Sequence, residues 1–265
     1  MNNNFNPVTI PIFSFVPPKY KYMIRKGPGV IFLAILILIT IYAAVSSIRM
    51  NVIMNDFVEE VYPICPEFEL KNGKFDIDEP IEFSEEGTYF LATNEIPGMS
   101  QKELSDYLMG LDEPVATAIV IGTDTITMFS NNQFQSYDFK QIKGTQLDKD
   151  SAFEYINTMV MPFTIIMFAL ILVFYIGIYY LAAAIIQFVA YIANSAGKKE
   201  LAGNELFRLT LIAKIPVFII FRFGGMLGLN VSMFVEIIVL IVYMVVCVLA
   251  IKDDEPEALP DNSMA

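Results

Sequence analysis

Two long stretches without a single charge constrain this chain more than any other feature. Val30–Ile48 contains no Asp, Glu, Lys or Arg and approaches the roughly 20 apolar residues that a hydrocarbon core of about 30 Å requires. It reads as a first transmembrane helix over residues 30–48. A signal peptide is the alternative, but its apolar region usually runs about 7–15 residues. No small-residue cleavage site follows at Ile48, Arg49 and Met50, so a retained helix is the expectation. The second stretch, Met159–Ala193, is longer than one perpendicular crossing, with Gly177 as its one candidate break. Two crossings would put Lys198 and Lys199 outside; a single tilted helix leaves them inside, where basic flanks are preferred. One long helix is the expected form.

Lys19, Lys21, Arg25 and Lys26 precede the first helix, and no carboxylate lies upstream of Asp56. That flank places the amino terminus in the cytoplasm. The segment Lys19–Lys26, bounded by Pro17, Pro18 and the Gly27, Pro28, Gly29 break, either lies on the inner membrane surface or serves only as a topology signal. A third span is expected over Leu206–Leu227, which contains Pro216, and a fourth over Met233–Ile251, with Gly228–Ser232 as a tight turn between them. With 55% hydrophobic residues and a mean hydropathy of +0.54, lipid is expected to be part of the solvent. The predicted class is an α-helical integral membrane protein of four transmembrane helices with an inserted small α+β extracytoplasmic domain. Its predicted parts are a basic cytoplasmic segment 1–29, helix 30–48, the acidic domain 50–157, helices 2–4 within 158–251, and an acidic cytoplasmic tail 252–265. The predicted location is the cell membrane, multi-pass, with both termini cytoplasmic.

Residues 50–157 hold 21 acidic against 6 basic residues, a local net charge of −15. Within them, Phe68, Leu70, Phe75 and Ile77 alternate with polar residues around Asn72-Gly73, a pair suited to a type I′ turn. A two-residue turn sets Leu70 opposite Phe75 and Phe68 opposite Ile77, so all four side chains share one face. Ser100 and Glu103 form a capping box for a helix carrying Leu104, Tyr107, Leu108 and Leu111. Further strands are expected over Ala118–Ile121, Thr125–Phe129 and Phe134–Phe139, with Gly122 and the Asn131, Asn132 pair at turns. Cys65 and Cys247 fall on different sides of the predicted topology, so no internal disulfide follows.

The layout and three phrases together resemble a family of bacterial membrane proteins, domain of unknown function 1189. The phrases are Pro18-Lys-Tyr20 before the first helix, Phe68-Glu-Leu-Lys-Asn-Gly73 opening the external domain, and Leu206-Phe-Arg-Leu-Thr-Leu211 opening the third helix. The resemblance covers most of the chain. It implies a multispan membrane protein with an extracytoplasmic insertion, and brings no activity or ligand with it.

The chain has no His, which removes His-containing zinc sites, Ser-His and Cys-His nucleophilic pairs and histidine phosphoacceptors. There is no P-loop and no dinucleotide glycine fingerprint. A net charge of −12 argues against nucleic acid as a partner. Asp76, Asp78, Glu79 and Glu82 are read as a solvated acidic strand rather than a hard-cation site, because they lack a calcium-loop spacing. No metal, cofactor or catalytic residue is assigned. The sharper feature is a set of polar residues in apolar surroundings: Lys214, Arg222, Glu236 and Gln187 are costly facing lipid and should face protein, water or headgroups. Arg222 and Glu236 are expected to pair across the last helical hairpin. Lys214, beside Pro216, either lines a polar cavity with Gln187 and Asn194 as partners or snorkels past an ordinary proline kink. Gly224, Gly225 and Gly228 are read as close packing or a turn.

The expected role is a noncatalytic scaffold or sensor in the lipid bilayer, with an extracytoplasmic domain binding a membrane or envelope protein. The alternative is a small transporter or transport-system accessory subunit with Lys214, Arg222 and Glu236 on its pathway. Nothing in the sequence sets the oligomeric state.

Overall fold

The computed structural model describes residues 5–85, 87–96, 99–110, 115–130, 133–142, 144, 146–229 and 231–251. In chain order the elements are α1 (Thr9–Phe13), α2 (Tyr20–Met23), α3 (Pro28–Val61), β1 (Phe68–Lys71), β2 (Lys74–Ile77), β3 (Ile81–Glu85), β4 (Thr88–Ala92), α4 (Gln101–Met109), β5 (Thr117–Ile121), β6 (Thr125–Ser130), β7 (Gln133–Asp138), β8 (Leu147–Asp148), α5 (Lys149–Ala196), α6 (Gly203–Phe218), α7 (Gly224–Met226) and α8 (Met233–Leu249). A π-helical segment, Ile219–Phe223, joins α6 to α7. The chain divides into two compact units, Asn51–Phe163 and Met1–Met50 with Thr164–Ala265.

The first unit is built on two sheets. In one, β1 lies between β2 and β8, and the hairpin register is Phe68 with Ile77 and Leu70 with Phe75. Asn72 and Gly73 carry φ of 55° and 77°, as a type I′ turn demands. The other sheet has the order β3-β4-β5-β6-β7, antiparallel except for the parallel pair β4/β5, which α4 connects as a crossover. Side chains opposite one another share a sheet face. On one face Tyr89, Ala118 and Val120 close a core with Leu104 and Leu108 of α4. On the other, Ile81, Ala92, Ile121 and Ile126 pack with Leu70, Phe75, Ile77 and Phe139, so the hairpin's apolar face is what the small sheet buries. The sequence missed β4 and β8; the expected turn at Asn131 and Asn132 and the residue Leu111 lie outside the described residues.

The α4 amino terminus has its capping box. Ser100 Oγ accepts from the Glu103 amide at 3.4 Å, and Glu103 Oε2 accepts from the Ser100 amide at 2.9 Å. A second reciprocal cap opens α5, where Asp148 Oδ1 accepts from the Ser151 amide at 2.8 Å and Ser151 Oγ from the Asp148 amide at 3.0 Å. Hydrogen bonds from Ser100 and from Ser151 respectively hold the Glu103 and Asp148 carboxyls below their ordinary 4.5 and 3.8. A carboxyl whose folded value is depressed adds stability that is present above its unfolded value and lost as pH falls through the folded one. Amide exchange at Leu104, which donates to Ser100 O, is therefore expected to be pH-independent in protection above about 4.5 and to lose protection below it. Glu103→Gln should abolish that dependence, whereas Ser100→Ala, which keeps the amide that donates to Glu103 Oε2, should only weaken it.

The second unit gathers its core around α6. Leu206, Leu209, Ile212 and Ile215 are fully buried, and α6 packs against α8 and α1. α3 contributes Ile31, Ala34, Ile35, Leu38 and Ile39 at helical spacing, and α5 a narrower seam of Tyr179, Ala183, Ile186, Ala190 and Ala193. The basic segment after Pro17 is anchored in protein: Tyr20 and Met23 are fully buried, and the Tyr20 and Tyr243 hydroxyls both donate to Ser14 O.

Two helices are long and apolar enough to cross a membrane, α3 with 34 residues and α5 with 48, each with an 18-residue window of hydropathy 2.6. In α5 only 6% of that window is buried in the protein, leaving Ile165, Val173, Phe174, Leu181, Ile185 and Phe188 exposed. A contiguous apolar surface of that kind calls for a nonaqueous neighbour. This corrects the expected class of four transmembrane helices. The third expected span, Leu206–Leu227, is broken into an α-helix of 16 residues, a π segment of 5 and a short helix of 3, and its first part is wrapped in protein. The fourth, α8, has 17 residues, about 25 Å at 1.5 Å per residue, short of the hydrocarbon core. Beside these helices stand two sheets, of three and five strands. The tail 252–265 lies outside the described residues.

Candidate functional site

Lys214 lies on α6 with its residue 6% exposed. Its Nζ donates to Tyr179 O at 3.0 Å and Ile178 O at 3.3 Å and stands 4.5 Å from the Tyr179 ring centroid. Arg222 lies in the π segment, where the helical repeat is widened, a geometry rare in proteins and frequent at functional sites. Arg222 Nη2 donates to Glu236 Oε2 at 2.6 Å, with the guanidinium 5.8 Å from the Tyr175 ring. Glu236 sits in the first turn of α8, where the helix dipole favours a carboxylate. Lys214, Arg222 and Glu236 all line one cavity of about 100 Å³, whose apolar walls include Ile178, Phe218 and Leu240. The lysine does not snorkel. Gly224 belongs to the adjoining turn: a Cβ there would stand 2.9 Å from Leu229 Cδ2, the far end of an exposed side chain that can swing aside.

The structure does not bring Gln187 or Asn194 to this cluster. Gln187 Nε2 donates to Gly203 O at 3.0 Å and to Tyr191 Oη at 3.4 Å. Asn194 bonds both the amide and the carbonyl of Leu201 at 3.4 Å. Gln187 is eight residues beyond Tyr179 on α5, roughly 12 Å along the axis, and instead fastens the start of α6.

Sequence reading missed a second constellation, at the base of the sheet unit. Lys149 Nζ, 7% exposed as a residue, donates to Cys65 O at 2.6 Å and Glu67 Oε1 at 3.1 Å, and lies 4.9 Å from the Tyr62 ring. The Tyr62 hydroxyl donates to Asp150 Oδ1 at 2.6 Å, and its ring meets Phe153 edge-on at 5.1 Å. These contacts clamp the end of α3 to the start of α5. The one available signal was a cation between Asp148 and Asp150. Burial, opposed by Lys149, pushes the Cys65 thiol above its ordinary value, leaving a protonated and weakly nucleophilic sulfur. Beside the clamp is an open pocket of about 730 Å³ lined by Glu59, Tyr62, Asp150, Phe153 and Glu154 among others.

The acidic set of the first hairpin separates. Asp76 accepts from Asn94 Nδ2 at 2.6 Å, while Glu82 accepts from the Tyr89 and Tyr107 hydroxyls at 2.8 and 3.3 Å. Among the described residues no group of three or more His, Cys, Asp or Glu is placed to hold a metal ion.

A family model described as Protein of unknown function (DUF1189) matches residues 17–251. That span is most of the chain, and the chain belongs to this family. No curated protein and no solved structure matches.

Proposed function

We propose that this DUF1189 member is a noncatalytic membrane scaffold or sensor whose acidic sheet unit binds a membrane or envelope protein. In this reading α3 and α5 cross the bilayer. Lys19, Lys21, Arg25 and Lys26 before α3, and Lys198 and Lys199 after α5, mark the cytoplasmic side. The protein is then multi-pass with both termini in the cytoplasm, and the unit 51–163 faces the other compartment.

The observation that carries the reading is a row of apolar side chains on the five-stranded sheet that is half-buried at its centre, at Phe90 and Ile119, and exposed at its two ends, Phe83 and Met128. Phe83, Phe90, Ile119 and Met128 stand in register across β3, β4, β5 and β6. The opposite face is closed by α4, and the neighbouring row on this face by the small sheet. Phe83 is 50% exposed and stacks on Phe90 at 5.3 Å. Burying the exposed half of such an aromatic on binding contributes about 1 kcal/mol, roughly half the value for full burial. The clamp made by Lys149 and Tyr62 would convert a load on the sheets into a load on the ends of α3 and α5.

The test is a photo-crosslinking side chain at Phe83 or Met128 in intact membranes. A single discrete protein adduct is expected from both positions and none from Lys102 on the helix-covered side. Adducts equal at all three positions, or absent, would remove the reading. The alternative, a small transporter or accessory subunit, has less support: the cavity at Lys214 holds roughly three waters at about 30 Å³ each, too little for a sugar.

A further inference from the structure

Charge, volume and backbone geometry at the Lys214 cavity all favour one class of occupant. Two cations, Lys214 and Arg222, line it against one carboxylate, Glu236, among the described residues. Glu236 is taken by Arg222 at 2.6 Å, which leaves one positive charge without a countercharge beside apolar walls. An ammonium held by neutral carbonyls alone is poorly compensated for the water it has lost. Its three donors also exceed the two carbonyls it reaches, and both of those oxygens lie within α5, where the helical ladder already claims them. The π segment carries Arg222 to the same wall, so its guanidinium has donors beyond the one on Glu236. At about 100 Å³ the space suits a small polar group and excludes the bulk of a drug-sized ligand, whose pockets begin at about 300 Å³.

We propose that the cavity lined by α5, α6, the π segment and α8 binds an anionic oxygen group, a phosphate or carboxylate. Lys214 is its principal cation, and Arg222 is shared between the anion and Glu236. The group arrives either on a membrane lipid headgroup or as a free anion. Glu236 sets the affinity: it cancels part of the field and keeps the empty site from being doubly charged. This site is independent of the partner-binding row at Phe83, so failure of the crosslinking experiment leaves it standing.

The full-length protein in a neutral maltoside detergent is melted with added inorganic phosphate or acetate, against chloride at equal ionic strength. A parallel set uses nanodiscs of phosphatidylglycerol with phosphatidylcholine against phosphatidylcholine alone. Protection by phosphate or acetate in detergent identifies a free anion; protection by phosphatidylglycerol alone identifies the headgroup. Lys214→Gln is expected to abolish whichever protection is seen. Because that change also removes two bonds to α5, Glu236→Gln supplies the decisive sign. It breaks the ion pair yet deletes the site's one carboxylate, and is expected to tighten anion binding on the order of tenfold or more. Equal melting in anion and chloride together with no effect of phosphatidylglycerol would overturn the proposal, as would weaker anion binding in Glu236→Gln.

Discussion

Gly73→Val is expected to destabilise the sheet unit by about 3 kcal/mol, with amide protection lost first at Leu70 and Phe75. Gly73 has φ +77°, and a residue with a Cβ held in the left-handed region loses roughly 1–2 kcal/mol; β-branching makes that worse. Space adds a second cost. A Cβ at Gly73 would stand 3.0 Å from Phe139 O and 3.1 Å from Lys140 Cα and N. All three are backbone atoms, so no side chain can swing aside. The strand pair must move, or Phe139 must leave the core it shares with Leu70, Phe75 and Ile77. Hydrogen exchange and thermal melting of the full chain measure both consequences. A change below about 0.5 kcal/mol, the scale of an ordinary surface substitution, would show that the turn is not constrained as described.

That turn was legible in advance because its chemistry is local. Asn-Gly selects the I′ geometry, the two-residue loop fixes the register, and the alternation of Phe68, Leu70, Phe75 and Ile77 then names the buried face. The Ser100/Glu103 cap was legible for the same reason, since both partners lie within one turn. Pairing set by distant residues left no such mark. β8 is two residues long and exists because Leu147 and Asp148 meet Leu70 and Glu69. β4 joins β5 in parallel across α4, and a crossover has no turn dipeptide to announce it. β3 carries Glu82, which the sequence reading places in a solvated acidic strand; the strand is there, but the carboxylate accepts from the Tyr89 and Tyr107 hydroxyls, partners that the local sequence does not announce.

In the apolar segments the sequence misjudged what covers the surface. α5 carries no charge from Met159 to Ala193 and is mostly bare, whereas α6, which mixes Glu205, Arg208 and Lys214 with its apolar residues, is enclosed by protein. Composition gives the need for a nonpolar neighbour without saying whether lipid or another helix supplies it. The pairing of Arg222 with Glu236 was still within reach, because opposite charges in apolar surroundings have few alternatives. Gln187 shares with them only its polarity in an apolar stretch, and its axial position on α5 gives it a different partner, Gly203 O.

Lys149→Met is expected to cost about 1.5–3 kcal/mol, the range for a hydrogen bond made by a charged group, and to loosen the clamp at the base of the sheet unit. A cation at the first residue of a helix opposes the helix dipole, whereas Asp150 in the same turn suits it. Lys149 is therefore not there for the helix. Its ammonium is there for Cys65 O and Glu67, and the methionine keeps the stem's packing against Tyr62 while leaving the Cys65 carbonyl without its partner. Amide protection should fall across the β1/β8 pair and at the start of α5, while α4, whose core is separate, keeps its own. If protection falls uniformly through the unit, Lys149 supports the fold at large rather than the clamp. If it falls at the clamp alone and crosslinking at Phe83 persists, partner binding and its transmission to α3 and α5 are separable, and a sensor in which the sheet binds while the clamp transmits has the two parts it needs.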